Sequence, residues 1–204
     1  MKIYANNKEL EVSGQRPLID ELRDAGYDIP SLCYAPDAVH EASCMVCMVR
    51  DADSDQMMPS CATFPTEGMH IDVDSDEVMS LRRMSLELLL SDHKARCGVC
   101  GSKDKCRLRE LAVQMKAKWT RFGPLPPPCQ AEPVHVNGRL WFEPAKCIRC
   151  GLCVYNSQNG FTFMYRGYDM QVVIPEENKK NVDEKMADLC PTGALFVREL
   201  RRDE

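Results

Sequence analysis

The chain has 204 residues, a formal net charge of -5, 28% charged and 44% hydrophobic residues, and twelve cysteines. No Lys/Arg block stands out against that acidic balance, which excludes the electrostatic footprint of a nucleic-acid binder, and no run approaches the roughly 18 apolar residues of a membrane span. The opening residues MKIYANNKELEVSGQ lack a basic stretch followed by an apolar core, so a cytoplasmic location is expected, alone or within a membrane-associated complex, and in a reducing compartment this many thiols point to metal or redox chemistry rather than to disulfides.

In chain order, KIYA and KELEV read as two short strands around Asn6 and Asn7, because asparagine tolerates the positive phi of a two-residue turn. PLIDELRDAG puts Leu18, Ile19 and Leu22 on one face with Gly26 as a C-cap, a short amphipathic helix. MVCMVR and MHIDVD predict two further strands, with the DADSDQ turn and Pro59 between them. Two hairpins and a crossing helix make a small beta-grasp module over 1–76. SDEVMSLRRMSLELLLSDH then opens on an S-x-x-[DE]-like start and predicts a helix of four to five turns covered nearly all round. A second helix is expected over 105–119, with Leu108, Leu111, Ala112 and Met115 at helical spacing. Together these make a small helical unit over 77–121. FGPLPPPCQ reads as a stiff connector, and VHVNG with RLWFE as a hairpin around Asn137 and Gly138. Linker and hairpin start fill 122–138, and 139–204 forms the last unit.

The cysteines fall into three sets. Cys33, Cys44, Cys47 and Cys61 have the spacing C-x10-C-x2-C-x13-C. Plant-type 2Fe-2S ferredoxins share the closing C-x2-C and the distant fourth cysteine, and two irons need four thiolates. A zinc ribbon would show two tight knuckles, whereas Cys33 and Cys61 are isolated. His93, Cys97, Cys100 and Cys106 follow as H-x3-C-x2-C-x5-C, which on spacing alone suits zinc better than a cubane. Cys147, Cys150 and Cys153 in CIRCGLC, with the remote Cys190 in CPTGAL, carry the bacterial ferredoxin arrangement for a 4Fe-4S cluster. A two-cluster ferredoxin would need a cysteine at Ser157 and three more at Lys180, Asp183 and Met186, so all ligands of a second cluster are gone and all ligands of the first remain. Cys129 is left over as a spare thiol, and His40, His70 and His135 lie in no ligand spacing.

Taken in that order, the three sets resemble the N-terminal half of the large iron-sulfur subunit of respiratory complex I. They are equally similar to the gamma subunit of the diaphorase of NAD-reducing bidirectional hydrogenases and to the N-terminal part of multi-subunit iron-only hydrogenases. The resemblance implies an α+β chain: a beta-grasp 2Fe-2S ferredoxin-like domain, a small helical domain whose His93, Cys97, Cys100 and Cys106 hold a 4Fe-4S cluster, and a degenerate bacterial ferredoxin-like domain with one 4Fe-4S cluster. One 2Fe-2S and two 4Fe-4S clusters would relay single electrons, with the His93 set in the middle by chain order. The implied partners are flavoprotein NAD(P)H-oxidising subunits on one side and a hydrogenase or other terminal redox subunit on the other, with no direct membrane insertion. The chain ends soon after the last set, without the large domains of the complex I or iron-only relatives, which favours a stand-alone relay subunit. No dinucleotide or nucleotide-phosphate motif and no nucleophile-base pair occurs, so the chain itself is expected to be non-catalytic. The same relay in a formate dehydrogenase or NADPH-linked synthase is an alternative, as is a zinc-stapled interaction module.

Overall fold

The computed structural model describes residues 1–127 and 132–198; Cys129 lies outside them. Its first unit starts as expected. Strands β1 (Lys2–Ala5) and β2 (Lys8–Glu11) pair antiparallel from Lys2↔Glu11 to Ala5↔Lys8, and Asn6 and Asn7 adopt phi values of 48° and 64° in the turn. Helix α1 (Leu18–Asp24) buries Leu18, Ile19 and Leu22 completely, and Gly26 follows it at a phi of 90°. Strand β3 is Met48–Asp51 and β5 is His70–Asp72. Between them the chain makes a strand where the sequence predicts only a turn: β4 (Met57–Pro59) pairs antiparallel with β3, Val49 opposite Met58. Its three residues include a proline, which an edge strand tolerates because its N–H is not needed in the ladder. The sheet order is β2-β1-β5-β3-β4, with β1 and β5 parallel and every other pair antiparallel. Ile3, Val49 and Ile71 of the sheet meet Leu18, Ile19 and Leu22 of α1 in one core.

Helix α2 (Asp76–Ser91) begins at Ser75, whose hydroxyl accepts from the Val78 N–H at 3.4 Å, satisfying one of the free donors of the first turn. The helix is not covered all round: Leu88 is 52% exposed, and the buried face includes Arg82, Ser85 and Glu87 beside Val78, Leu86 and Leu90. Helix α3 (Arg107–Gln114) is shorter than the expected 105–119, because Lys116 takes a phi of 53° and ends it. Leu108, Leu111, Ala112 and Met115 are buried as their spacing predicts. Glu87, 1% exposed, accepts the Lys118 N–H at 2.9 Å and pairs with Arg121 at 2.8 Å, fastening the chain after α3 to α2. The core here is shared between units: Leu32 and Val46 come from the first, Leu86 and Leu108 from the helices, and Ile148 from the last.

The stretch 122–127 forms neither helix nor strand. Strands β6 (Val134–Asn137) and β7 (Leu140–Phe142) form the expected hairpin, with Gly138 at a phi of 47° in its turn. Helix α4 (Leu152–Asn156), the β8–β9 hairpin (Thr162–Met164 with Gln171–Val173), helix α5 (Met186–Leu189) and β10 (Leu195–Val197) complete the chain. Strand β7 is the centre of the sheet β10-β7-β6. Val136, Leu140, Phe142, Phe161, Val172 and Leu195 form the core of this unit.

Candidate metal centres

Each cysteine set is brought together by short loops at the ends of these elements. In the first, Cys33 and Cys44 lie in the loop between α1 and β3, Cys47 just before β3, and Cys61 just after β4. All four are at most 5% exposed, and the Cys33 and Cys44 sulfurs are 3.3 Å apart, beyond a disulfide bond. All described cysteines are free thiols. Hydrogen bonds from Cys44 and Cys61 hold the Cys33 thiol far below its usual range, and one from Cys61 lowers Cys47 to about 6. Backbone N–H groups of Ser43 and Cys44 also bond the Cys33 sulfur, and that of Val46 bonds Cys44. A set of buried sulfurs with amide donors aimed at them suits thiolates bound to a positive centre. His40, absent from the ligand spacing, stands beside this set: its Nε2 is 3.0 Å from the Cys61 carbonyl and its ring packs edge-on against Tyr34.

The second set sits where α2 ends and α3 begins. His93 is 6% exposed, and its Nδ1 is buried with no hydrogen-bond partner. Burial holds this imidazole neutral, with its pKa lowered to about 4. An orphaned, neutral, buried ring nitrogen is costly unless something binds it, and neutral imidazole is the ligand form. Cys97 and Cys100 are half-buried on the connecting loop, and Cys106 is the N-cap residue of α3. Burial pushes the Cys97 and Cys106 thiols up.

In the third set, Cys147 follows a 3-10 turn at Pro144–Lys146, Cys150 precedes α4, Cys153 lies on it, and Cys190 caps α5. All four line one cavity, walled by Phe142, Leu152 and Val172. The Arg149 N–H reaches the Cys147 sulfur at 3.4 Å and the Leu195 N–H that of Cys190 at 3.5 Å. Burial pushes Cys147 up to about 11, Cys150 up to about 12, and Cys153 higher still. Ser157, where a second cluster's cysteine would stand, is 3% exposed and accepts the Phe161 N–H at 2.8 Å. Asp183 accepts the Lys185 N–H, and Met186 packs on the apolar core. Those positions have become structural. His70 packs on Tyr4 and His135 on Trp141, away from all three sets.

The sets adjoin one another, and not in chain order. Ser43 of the first loop donates to the Cys150 carbonyl at 3.4 Å, Asn156 of α4 bonds both backbone groups of Val39, and Asp92, next to His93, pairs with Arg149. The loop carrying Cys147 to Cys153 therefore touches both other sets. Cys100 and Cys190 also line a common cleft of about 960 Å³ with Lys94, Arg96 and Lys146. The CPTGAL segment is itself a joint: the Pro191 carbonyl accepts the Arg107 N–H at 2.7 Å, and the Gly193 carbonyl accepts the Ser102 hydroxyl at 3.2 Å. Gly193 has a phi of 64°, and an added Cβ would lie 2.8 Å from the Ser102 side chain. Gly193→Ala is accordingly expected to cost about 1–2 kcal/mol in backbone strain alone, more with the Ser102 clash, and a denaturation midpoint equal to that of the unaltered chain would refute the joint.

Among the described residues no group of three or more His, Cys, Asp or Glu is drawn together as a single-ion site, and no helix is long and apolar enough to cross a membrane. Residues 1–76 match the family model of a 2Fe-2S iron-sulfur cluster binding domain, 82–121 that of the NADH-ubiquinone oxidoreductase-G iron-sulfur binding region, and 140–197 that of a 4Fe-4S single cluster domain. The chain is 24% identical to the gamma subunit of the NAD-reducing hydrogenase HoxS of Cupriavidus necator, over 100% of its own length and 90% of the relative's. It is 30% identical to the NADP-reducing hydrogenase subunit HndD of Solidesulfovibrio fructosivorans over 98% of its own length, but spans only 36% of that protein. Its fold is shared with a chain of the NAD+-reducing [NiFe]-hydrogenase crystal structure in the H2-reduced state, at a TM-score of 0.84 and 22% identity over 100% of this chain and 89% of that one. Three iron-sulfur regions in this order, matched from end to end, make the chain a member of the iron-sulfur protein family that includes the gamma subunit of NAD-reducing hydrogenase and the corresponding region of NADH-quinone oxidoreductase.

Proposed function

We propose that this chain is an electron-transfer subunit holding one 2Fe-2S cluster on Cys33, Cys44, Cys47 and Cys61, a 4Fe-4S cluster on His93, Cys97, Cys100 and Cys106, and a second 4Fe-4S cluster on Cys147, Cys150, Cys153 and Cys190. Clusters at these positions supply one-electron chemistry at potentials set by ligand type, hydrogen bonds to sulfur and exposure. The chain's own part is to hold the ligands, keep water out and direct amide donors to the sulfurs. The observation that carries the reading is the single apolar cavity lined by all four sulfurs of the third set, reached from both other sets by Ser43 and Asp92. It supports a relay in which the third set stands between the first and the His93 set, rather than the chain order. The gamma-subunit relative supports a flavin-bearing NAD(P)H-oxidising subunit and a hydrogenase as the partners at its two ends, with the relay working in the cytoplasm. The isolated Cys33 and Cys61, and the crowded C-x2-C-x2-C run of the third set, weigh against a zinc-stapled module, which is built from paired knuckles.

Anaerobic purification should give about ten irons and ten acid-labile sulfides per chain, the sum of one 2Fe-2S and two 4Fe-4S clusters. About six irons with one zinc would return the His93 set to zinc, and a colourless zinc protein would overturn the reading entirely. His93→Cys replaces a neutral ligand with an anion and should lower the potential of that cluster alone. An unchanged or higher potential would remove His93 from the ligand set.

A further inference from the structure

Arg82 is a cation with no visible anion. It lies on the inward face of α2, 2% exposed, yet none of the ion pairs among the described residues includes it. Its Nε donates to the Met48 carbonyl at 2.9 Å, Nη1 has only the Met79 sulfur at 3.9 Å, and Nη2 is buried with no partner. The negative groups that face it are Cys47, Asp74 and Asp28. Both carboxylates are engaged elsewhere: Asp74 accepts from Asn6 at 2.7 Å and Asp28 from Gln114 at 3.3 Å. Cys47 is different, because Met48, whose carbonyl holds the guanidinium, is the next residue in the chain.

A buried guanidinium without a counter-charge is strongly unfavourable, and proteins keep such groups only when a partner compensates them. Four thiolates around two irons carry a net negative charge that grows by one on reduction. Resting on the ligand set proposed above, we infer that Arg82 is the built-in counter-charge of the first cluster, reaching it from a helix that begins the second unit. Two consequences follow. The fixed cation stabilises the reduced cluster more than the oxidised one and so raises its potential. It also makes loading of the first set and seating of α2 against β3 mutually dependent, since each supplies the charge the other lacks.

The test compares Arg82→Met and Arg82→Lys with the unaltered full chain, each loaded and metal-free. The readouts are an EPR-monitored redox titration of the 2Fe-2S signal and denaturant midpoints of both forms. Arg82→Met should lower the 2Fe-2S midpoint potential and leave both 4Fe-4S centres where they were. The same variant should lose stability when loaded and be at least as stable as the unaltered chain when metal-free, where the arginine is uncompensated. Arg82→Lys, retaining the charge, should recover most of the potential. An unmoved 2Fe-2S potential in Arg82→Met overturns the inference, and so does an equal loss of stability in both forms, which would make Arg82 a strut for Met48. Absence of any 2Fe-2S signal from the unaltered chain is a separate failure, that of the first ligand set itself.

Discussion

Stripping the metal from the loaded chain should unfold residues 132–198 while residues 1–76 remain largely folded. The difference lies in how much core each unit owns. The first has a five-stranded sheet, α1 and thirteen buried residues in its core, whereas the last has strands of three or four residues, helices of four and five, and a core of eight. So small an apolar interior does not offset the chain entropy of ordering it, and the free energy of metal binding, on the order of 10 kcal/mol in small metal-dependent folds, then becomes folding free energy. Anaerobic chelation followed by amide exchange and limited proteolysis checks this: protection should vanish from β6, β7 and β10 first. Equal protection in both units would show that the last unit folds without its metal. The metal-free form should also be alkali-sensitive. Burial raises Cys147 to about 11 and Cys150 to about 12, against about 8.5 for an unfolded thiol. The folded unit therefore binds more protons than the unfolded one above that value. Whatever stability survives chelation is fully present below about pH 8.5 and falls as pH rises toward 11 to 12.

Leu86→Ala should cost about 2–5 kcal/mol, the range for a buried leucine truncated in a packed core, and should disturb more than one centre. Leu86 is 0% exposed and belongs to the same apolar cluster as Cys33, Cys44, Cys106 and Ile148. A cavity there removes support from the first and second ligand sets and from the loop leading into the third. Denaturant midpoints measure the energetic part, and broadening of the EPR lines of more than one cluster measures the rest. Leu88→Ala, at an exposed site on the same helix, should do neither. Equal effects from the two variants would contradict the shared core.

What could be read in advance was local. The Asn6–Asn7 turn, the α1 stripe, the start of α2 and the Asn137–Gly138 hairpin all depend on residues within a few positions of each other, and all stand where their spacing put them. So does the grouping of the ligands, because loops of two to five residues leave few ways to arrange Cys97 to Cys106 or Cys147 to Cys153. What was not legible is long-range. β4 is a strand only because β3 supplies its partner. Arg82 and Glu87 read as the polar face of α2, but the carbonyl of Met48, 34 residues away, and the Lys118 N–H, 31 away, turn that face inward. His40 has no ligand spacing to mark it, and only the fold sets it against the Cys61 carbonyl. The neighbour relations of the sets were likewise hidden, since Ser43 and Cys150 are 107 residues apart.

The shared core bears on how the molecule can be taken apart. Leu32 and Val46, 1% and 0% exposed, belong to the first unit by sequence yet pack on Leu86, Leu108 and Leu111 of the two helices that follow. A fragment cut at residue 76 would carry a bare oily face directly over Cys33 and Cys44, and oxygen and water would reach those sulfurs through it. For a single-centre reagent, the smallest sensible piece runs through Arg121, so that Glu87 keeps its ion pair and the helices stay in place as a lid. Along this chain, the seam between units visible in the order of residues is not a seam in space.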